Sequence, residues 1–248
     1  MTLHTSPISS EIVLCEGLGS ALYARVVRGR SLAWGGGTKD LWGRTGARSR
    51  HSDADTYTLV STSIEDTYEG GGAHEVEFVG IDEGGFEAAE IVRLNGAEEV
   101  STTRTYACLN ELCVASAGKG GGGFGGANLG TLTAAHSRLG DVQGVIKPGE
   151  GRAFHSHYRI PDNCVGYVDW VSLTNDPGNP ALFQLMSGDV DACQIQQEWR
   201  WIPGVLTTPI APIQFPGGTD LWVVITAETY VGEDDHMGMD YRVVLREL

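Results

Sequence analysis

Hydrophobic and polar residues alternate in short runs along most of this chain. Val76, Phe78 and Ile81 sit among Glu75, Glu77 and Asp82, a period of two with one slip at Val79. That is the pattern of a strand with one face buried. Ile91-Val92-Arg93-Leu94 leads into Asn95-Gly96, and a second apolar run follows over 100–106. Asn-Gly between two such runs predicts a hairpin, because both central turn positions need positive φ. Residues 112–115, 129–134, 153–160, 165–173, 181–186, 195–201, 221–227 and 241–245 read as further strands. Turn dipeptides such as Pro148-Gly149, Pro161-Asp162, Pro177-Gly178 and Pro216-Gly217 bound nearly all of them. No stretch of about twelve residues carries a 3.6-residue period.

Short strands at this spacing predict an all-β chain built as β-sandwiches or jelly rolls. Eight of the nine prolines fall at or after Pro148, so the composition changes near residue 140. The expected organisation is an extended N-terminal arm over 1–55, a first β domain over 56–140 and a second over 141–248; the alternative makes residues 12–34 edge strands of the first domain. At 248 residues with 41% hydrophobic positions, the chain needs neither disulfides nor metal to build cores. Five cysteines without a Cys-x-x-Cys pair read as free thiols, with Cys108, Cys164 and Cys193 in or beside apolar strands. No run of 18 apolar residues predicts a membrane helix, and the first 20 residues carry no secretory pattern.

Charge divides the chain further. Residues 1–52 hold seven Lys or Arg against three Asp or Glu, while residues 53–100 hold one against thirteen. An acidic body, in a chain of net charge −15, repels phosphate backbones, so nucleic acid is not the expected partner. The arginines instead suit an arm lying on an acidic protein surface. Arg25, Arg28 and Arg30 alternate with apolar residues, and Trp34 and Trp42 flank the Gly35-Gly36-Gly37 turn as anchors for a neighbour.

Between residues 60 and 96 the chain reads Val-Ser-Thr-Ser-Ile-Glu-Asp-Thr-Tyr-Glu-Gly-Gly-Gly-Ala, then His-Glu-Val-Glu-Phe-Val-Gly-Ile-Asp-Glu, then Glu-Ile-Val-Arg-Leu-Asn-Gly. This resembles a recurrent family of tailed-bacteriophage virion proteins. The matching pieces, in the family's order, are residues 61–73, 79–82, 90–96, 115–118, 128–133, 148–151 and 158–163. The glycine tract 118–126 is longer than the family's turn, and Asn163 stands where a glycine closes the Val-Pro-x-Gly turn. The resemblance implies no catalytic residue and no cofactor. It implies a structural virion component assembled in the host cytoplasm and working as a homo-oligomer on capsid or other virion proteins. A head decoration protein is the expected role, with a neck, baseplate or fibre-attachment protein as the alternative.

Other candidate chemistry is weaker. Gly118-Lys119-Gly120-Gly121-Gly122-Gly123 satisfies GxGxxG, yet a strand rather than a helix follows, so no dinucleotide site is expected. His155 and His157 would share a strand face, half of a zinc site without a second pair, and read as a solvated face. Glu233, Asp234, Asp235, His236 and Asp240 could offer oxygen ligands to Ca²⁺, but lack EF-hand spacing and read as a solvated acidic loop. Trp199 and Trp201 should point to one side of a strand, as core or interface residues or as a stacking platform for sugars. That last use defines a second function class, a glycan-binding module. No GxSxG elbow or other nucleophile motif is present, so no enzyme is expected.

Overall fold

The computed structural model describes residues 22–30, 37–42, 48–51, 53–118, 127–175, 181–188, 192–201, 204–227 and 237–248. In chain order the strands are β1 (Leu22–Arg30), β2 (Gly37–Asp40), β3 (Tyr57–Ser61), β4 (Ala73–Asp82), β5 (Glu87–Arg93), β6 (Val100–Ser101), β7 (Tyr106–Ala117) and β8 (Leu132–His136). They continue with β9 (Val142–Ile146), β10 (Tyr158–Arg159), β11 (Cys164–Asn175), β12 (Ala181–Gly188), β13 (Cys193–Trp201), β14 (Gly204–Phe215), β15 (Asp220–Ala227) and β16 (Met237–Glu247). The protein is all-β, and every sheet pairing is antiparallel.

Two lobes follow from the pairing. In the first, the sheet β6-β3-β8-β9 packs on β5-β4-β7. Tyr57, Leu59, Val76, Phe78, Tyr106, Leu109, Leu112, Leu132 and Ile146 fill the space between them. Val76, Phe78 and Ile81 are all buried, and the β4–β7 register shifts between Val79 and Gly80. The extra residue of this bulge, Asn110, lies on β7, while β4 stays in regular register with β5, so Ile81 faces the same side as Val79 and Glu87, away from the first core. In the second lobe, β1-β16-β11-β14 packs on β10-β15-β12-β13, with β2 sharing an edge of β15. Phe183, Leu185, Val223, Ile225, Tyr241 and Val243 form its centre.

Where it is described, the expected N-terminal arm is built into the second lobe. β1 pairs along its whole length with β16, from Leu22↔Arg246 to Arg30↔Gly238, and β2 pairs with the end of β15. Val27 and Leu41 are buried in the second core. The inward positions of β1 are Tyr23, Arg25, Val27 and Gly29, so a charge and a glycine stand where the pattern needs hydrophobes. The first lobe also runs past residue 140, because β9 pairs with β8. The turn at Asn95-Gly96 forms, with Asn95 bridging Glu98, but no hairpin results. β5 pairs with β4 while β6 pairs with β3, so the turn passes the chain from one sheet to the other.

Candidate functional site

Five of the seven motifs that carry the family resemblance gather around one buried carboxylate and the asparagine beside it. Asp66 is fully buried, and its two oxygens accept four hydrogen bonds. Ser61 Oγ donates at 2.5 Å, and the amides of Ala73, Leu129 and Gly130 each donate at 2.8 Å. A carboxylate is a pure acceptor with about four lone-pair sites, so this one is fully used, and charge-assisted bonds of this kind are the strong ones. Its backbone joins the same knot: the Gly96 amide donates to the Asp66 carbonyl, and the Ser61 amide donates to the Gly96 carbonyl.

Asn128 extends the knot to the next motif. Its Nδ2 donates to the carbonyls of Gly130 and Lys147, while its Oδ1 accepts from the Gly151 amide. The Gly118 amide donates to the Gly72 carbonyl, drawing in the end of β7. Two of the motif glycines are required by close approach: a side chain at Gly72 would collide with Asp66 Oδ1, and one at Gly130 with Ser61 Oγ and the Ser63 amide. Five motifs far apart in sequence thus become one rigid loop cluster.

The remaining two motifs pin the lobes together. Asp82 Oδ1 accepts from the amides of Gly84 and Phe86 and shapes the β4–β5 turn. At its tip the Gly85 carbonyl accepts from the Asp162 amide at 2.8 Å. Gly85 has φ of +81°, and any side chain there would strike Asp162, so both conformation and space demand glycine.

Between this pin and the N-terminal strands lies a buried polar seam. Arg48 is 4% exposed; its Nε donates to Gln143 Oε1 at 3.0 Å and its Nη2 to the Leu109 carbonyl at 2.9 Å. The Asn110 carboxamide acts as a rung between lobes, donating to the Arg159 carbonyl and accepting from the Arg159 amide, both at 2.9 Å. The Arg159 guanidinium forks onto fully buried Asp220 at 2.8 and 2.7 Å. His157 Nε2 lies 3.4 Å from the same carboxylate. Glu87 of the first lobe takes Arg25 as an ion pair and accepts from the Tyr158 hydroxyl at 3.0 Å.

Electrostatics in the seam follow from burial. Desolvation, reinforced by Arg48, brings His157 down to about 4 and His155 well below its ordinary value. Burial pushes the Cys108 thiol up to about 12, which disarms it as a nucleophile. These groups hold the lobes; none is arranged as a nucleophile with a base.

Several expectations are corrected here. His155 and His157 are buried at the seam and lie outside any strand. They are not a solvated face, because the polar surface of two lobes closes over them. Arg25 is taken by Glu87 within the chain, so it is not free to meet a partner. Trp42 is 5% exposed and so cannot anchor in a neighbour's pocket. Trp199 is half-buried against the second core rather than standing as a platform. Trp201 ends β13 opposite Ala181. Arg28 and Arg30 are exposed, Arg28 within 4.0 Å of Asp240 and Arg30 over the Phe154 ring at 3.9 Å. Trp34, most of the glycine tract and residues 233–236 lie outside the described residues. Among the described residues no three His, Cys, Asp or Glu gather as a metal site, and Cys108, Cys113, Cys164 and Cys193 are free.

Sequence reasoning found the motif residues but missed the seam. Arg48 is one of the seven basic residues of the N-terminal segment, and nothing beside it in the sequence marks it as buried. A groove of about 490 Å³ at one end of the second lobe, between the β12–β13 end and the β14–β15 turn, was also missed.

No family model matches the chain, and no curated protein matches it. Among solved structures, one of infectious bursal disease virus, Gx strain, is 10% identical with a TM-score of 0.24, covering 92% of this chain and 72% of that one. The tandem CBM22-1–CBM22-2 domain of Paenibacillus barcinonensis Xyn10C is 13% identical with a TM-score of 0.22, covering 93% of each. Superpositions this loose carry no argument about what the chain does.

Proposed function

We propose that this chain is a non-enzymatic structural component of a tailed-phage virion, a head decoration protein that binds the capsid surface as a homo-oligomer. The observation that carries the reading is the fate of the motif residues. All seven pieces of the phage-family resemblance are used to lock backbone, five around Asp66 and Asn128 and two at the Asp82–Gly85–Asp162 pin. Residues used this way keep loops rigid, which a part that bridges subunits of a pressurised shell requires. Arg28 and Arg30, exposed on an otherwise acidic chain, are the contacts this reading gives to a partner protein. A place at the neck, baseplate or fibre attachment uses the same rigid lobes and is the alternative position.

The test is sedimentation of the purified chain with particles from a phage lacking its gene. Saturable binding to isolated heads, at a copy number matching a capsid symmetry, is expected. Binding to tails alone would move the protein to the alternative position. Binding to neither would overturn the proposal.

A further inference from the structure

A small cavity opens where β1 meets the first lobe. Arg25 and Arg28 reach it from β1, Glu87 and Glu111 from the first lobe, and Arg152 and His155 from the segment that crosses between the lobes. All of its lining residues and their chain neighbours are described. Its volume is about 30 Å³, room for one small group and not for a sugar ring or a nucleotide. The side chains of Arg25, Arg28 and Arg152 are 41, 42 and 34% exposed, whereas His155 is 4% exposed. The cavity therefore runs from a rim of guanidinium groups that solvent reaches to a buried imidazole.

Two buried nitrogens on this lining are unmatched. Glu87 takes Arg25 through Nη2, but the buried Arg25 Nε bonds to no described residue, and neither does His155 Nδ1. Arg25 Nε is always a donor, and the N–H of a neutral imidazole can sit on Nδ1. Buried donors of this kind call for an acceptor. Charge selects which acceptor. Three guanidinium groups face two carboxylates across the lining, Arg25 with Glu87 and Arg152 with Glu111 at 3.2 Å. Arg28 is left over, with Asp240 as a loose ion-pair partner at 4.0 Å. Asp240 also lies in the field of Arg30, and adding both to the group leaves the same single positive excess. On a chain of net charge −15 such an excess is a local exception that attracts an anion.

We infer that this cavity is a seat for one carboxylate group. A carboxylate only accepts, and its two oxygens can take N–H groups from guanidinium and imidazole together, as charge-assisted bonds of the strong kind. Its compact head suits a cavity of this size and brings the one negative charge that the lining lacks. An acidic side chain of a neighbouring protein and a free carboxylate present the same group. Because both lobes furnish walls, a bound carboxylate also ties one lobe to the other. This reading is independent of the virion proposal.

The experiment follows the arginine Nε–H signals of the full chain by NMR as formate is added, with chloride at equal ionic strength as the reference. The Arg25 signal should shift saturably with formate and not with chloride. Arg28→Gln should weaken formate binding about tenfold, the loss expected for one hydrogen bond to a charged group. Arg93→Gln, exposed on β5 and outside the lining, should leave binding unchanged. Both arginines are exposed, so thermal melts should confirm that the variants fold like the parent. N-acetylglutamate amide then identifies the source: shifts matching those of formate admit an acidic side chain, and shifts with formate alone restrict the seat to a free carboxylate. No shift with formate, an equal shift with chloride, or an affinity unchanged in Arg28→Gln would overturn the inference.

Discussion

Acidification should loosen this chain through its buried histidines, and His157 sets the scale. Burial, then the nearby Arg48, brings its imidazole from an ordinary 6.5 to about 4, against the opposing pull of Asp220. In the unfolded chain the same ring takes up a proton near 6.5. Across the window from pH 6.5 to 4 the unfolded chain therefore binds a proton that the folded chain refuses. Stability is full above that window and falls as the pH falls through it. At about 1.4 kcal/mol per pH unit, His157 alone removes about 3 kcal/mol by pH 4. His155, buried beside Arg48 and His157, shifts in the same direction and steepens the loss. For Asp220, burial alone would raise the carboxyl, but His157 and the Arg159 fork outweigh it and hold it below the usual range. Its contribution is present above about pH 4 and is lost as the pH falls further.

The assay is a thermal melt at intervals from pH 7.5 to 4. A chain of this size moves about 2–4 °C in Tm per kcal/mol, so His157 should account for a fall of about 6–12 °C. His157→Gln keeps a polar side chain in the seam but does not titrate, and its Tm should fall less over the same range. Comparing the two cancels the background from surface carboxylates. A variant that falls as steeply as the parent would refute the reasoning.

Three other outcomes follow from the packing. Asp66→Ala strands the buried amides of Ala73 and Gly130 and should cost about 2–6 kcal/mol in denaturant melts, while Asp66→Asn, which keeps one acceptor, should fall between it and the parent. Deleting residues 1–42 should unfold the second lobe, since it removes β1, β2, Val27 and Leu41; circular dichroism showing an intact two-lobe melt would contradict this. Treatment with a reductant should leave Tm unchanged, because Cys108, Cys113, Cys164 and Cys193 are free; a fall matching the ~2–5 kcal/mol of a native disulfide would contradict it.

What the sequence made legible was whatever depends on neighbouring residues. The alternation of β4 as far as Phe78 and the Asn95-Gly96 turn are local events, and both appear in the structure; Val79 and Ile81 break the alternation because the face opposite the first core is covered as well. The pairing of β1 with the second lobe was not legible, for two reasons. Its partner β16 lies more than 200 residues away, and two of its inward positions are Arg25 and Gly29. Arg25 can face inward only because Glu87 waits there from the other lobe. The same inversion hid the seam. Polar residues normally mark solvent, but His155, His157 and Arg48 are polar because two lobes meet over them, each with its own apolar core. Asp66 was visible as a motif residue, but not as a hub, since Leu129 and Gly130 come from beyond four intervening strands.

The central claim is that the chain is a built-in part of a phage particle, and locating it on purified virions tests that most directly. Gold-conjugated antibody against the chain, viewed by electron microscopy, should decorate intact heads at regular positions. Virions that carry no label on head or tail, with all of the protein left in the soluble lysate, would contradict the account.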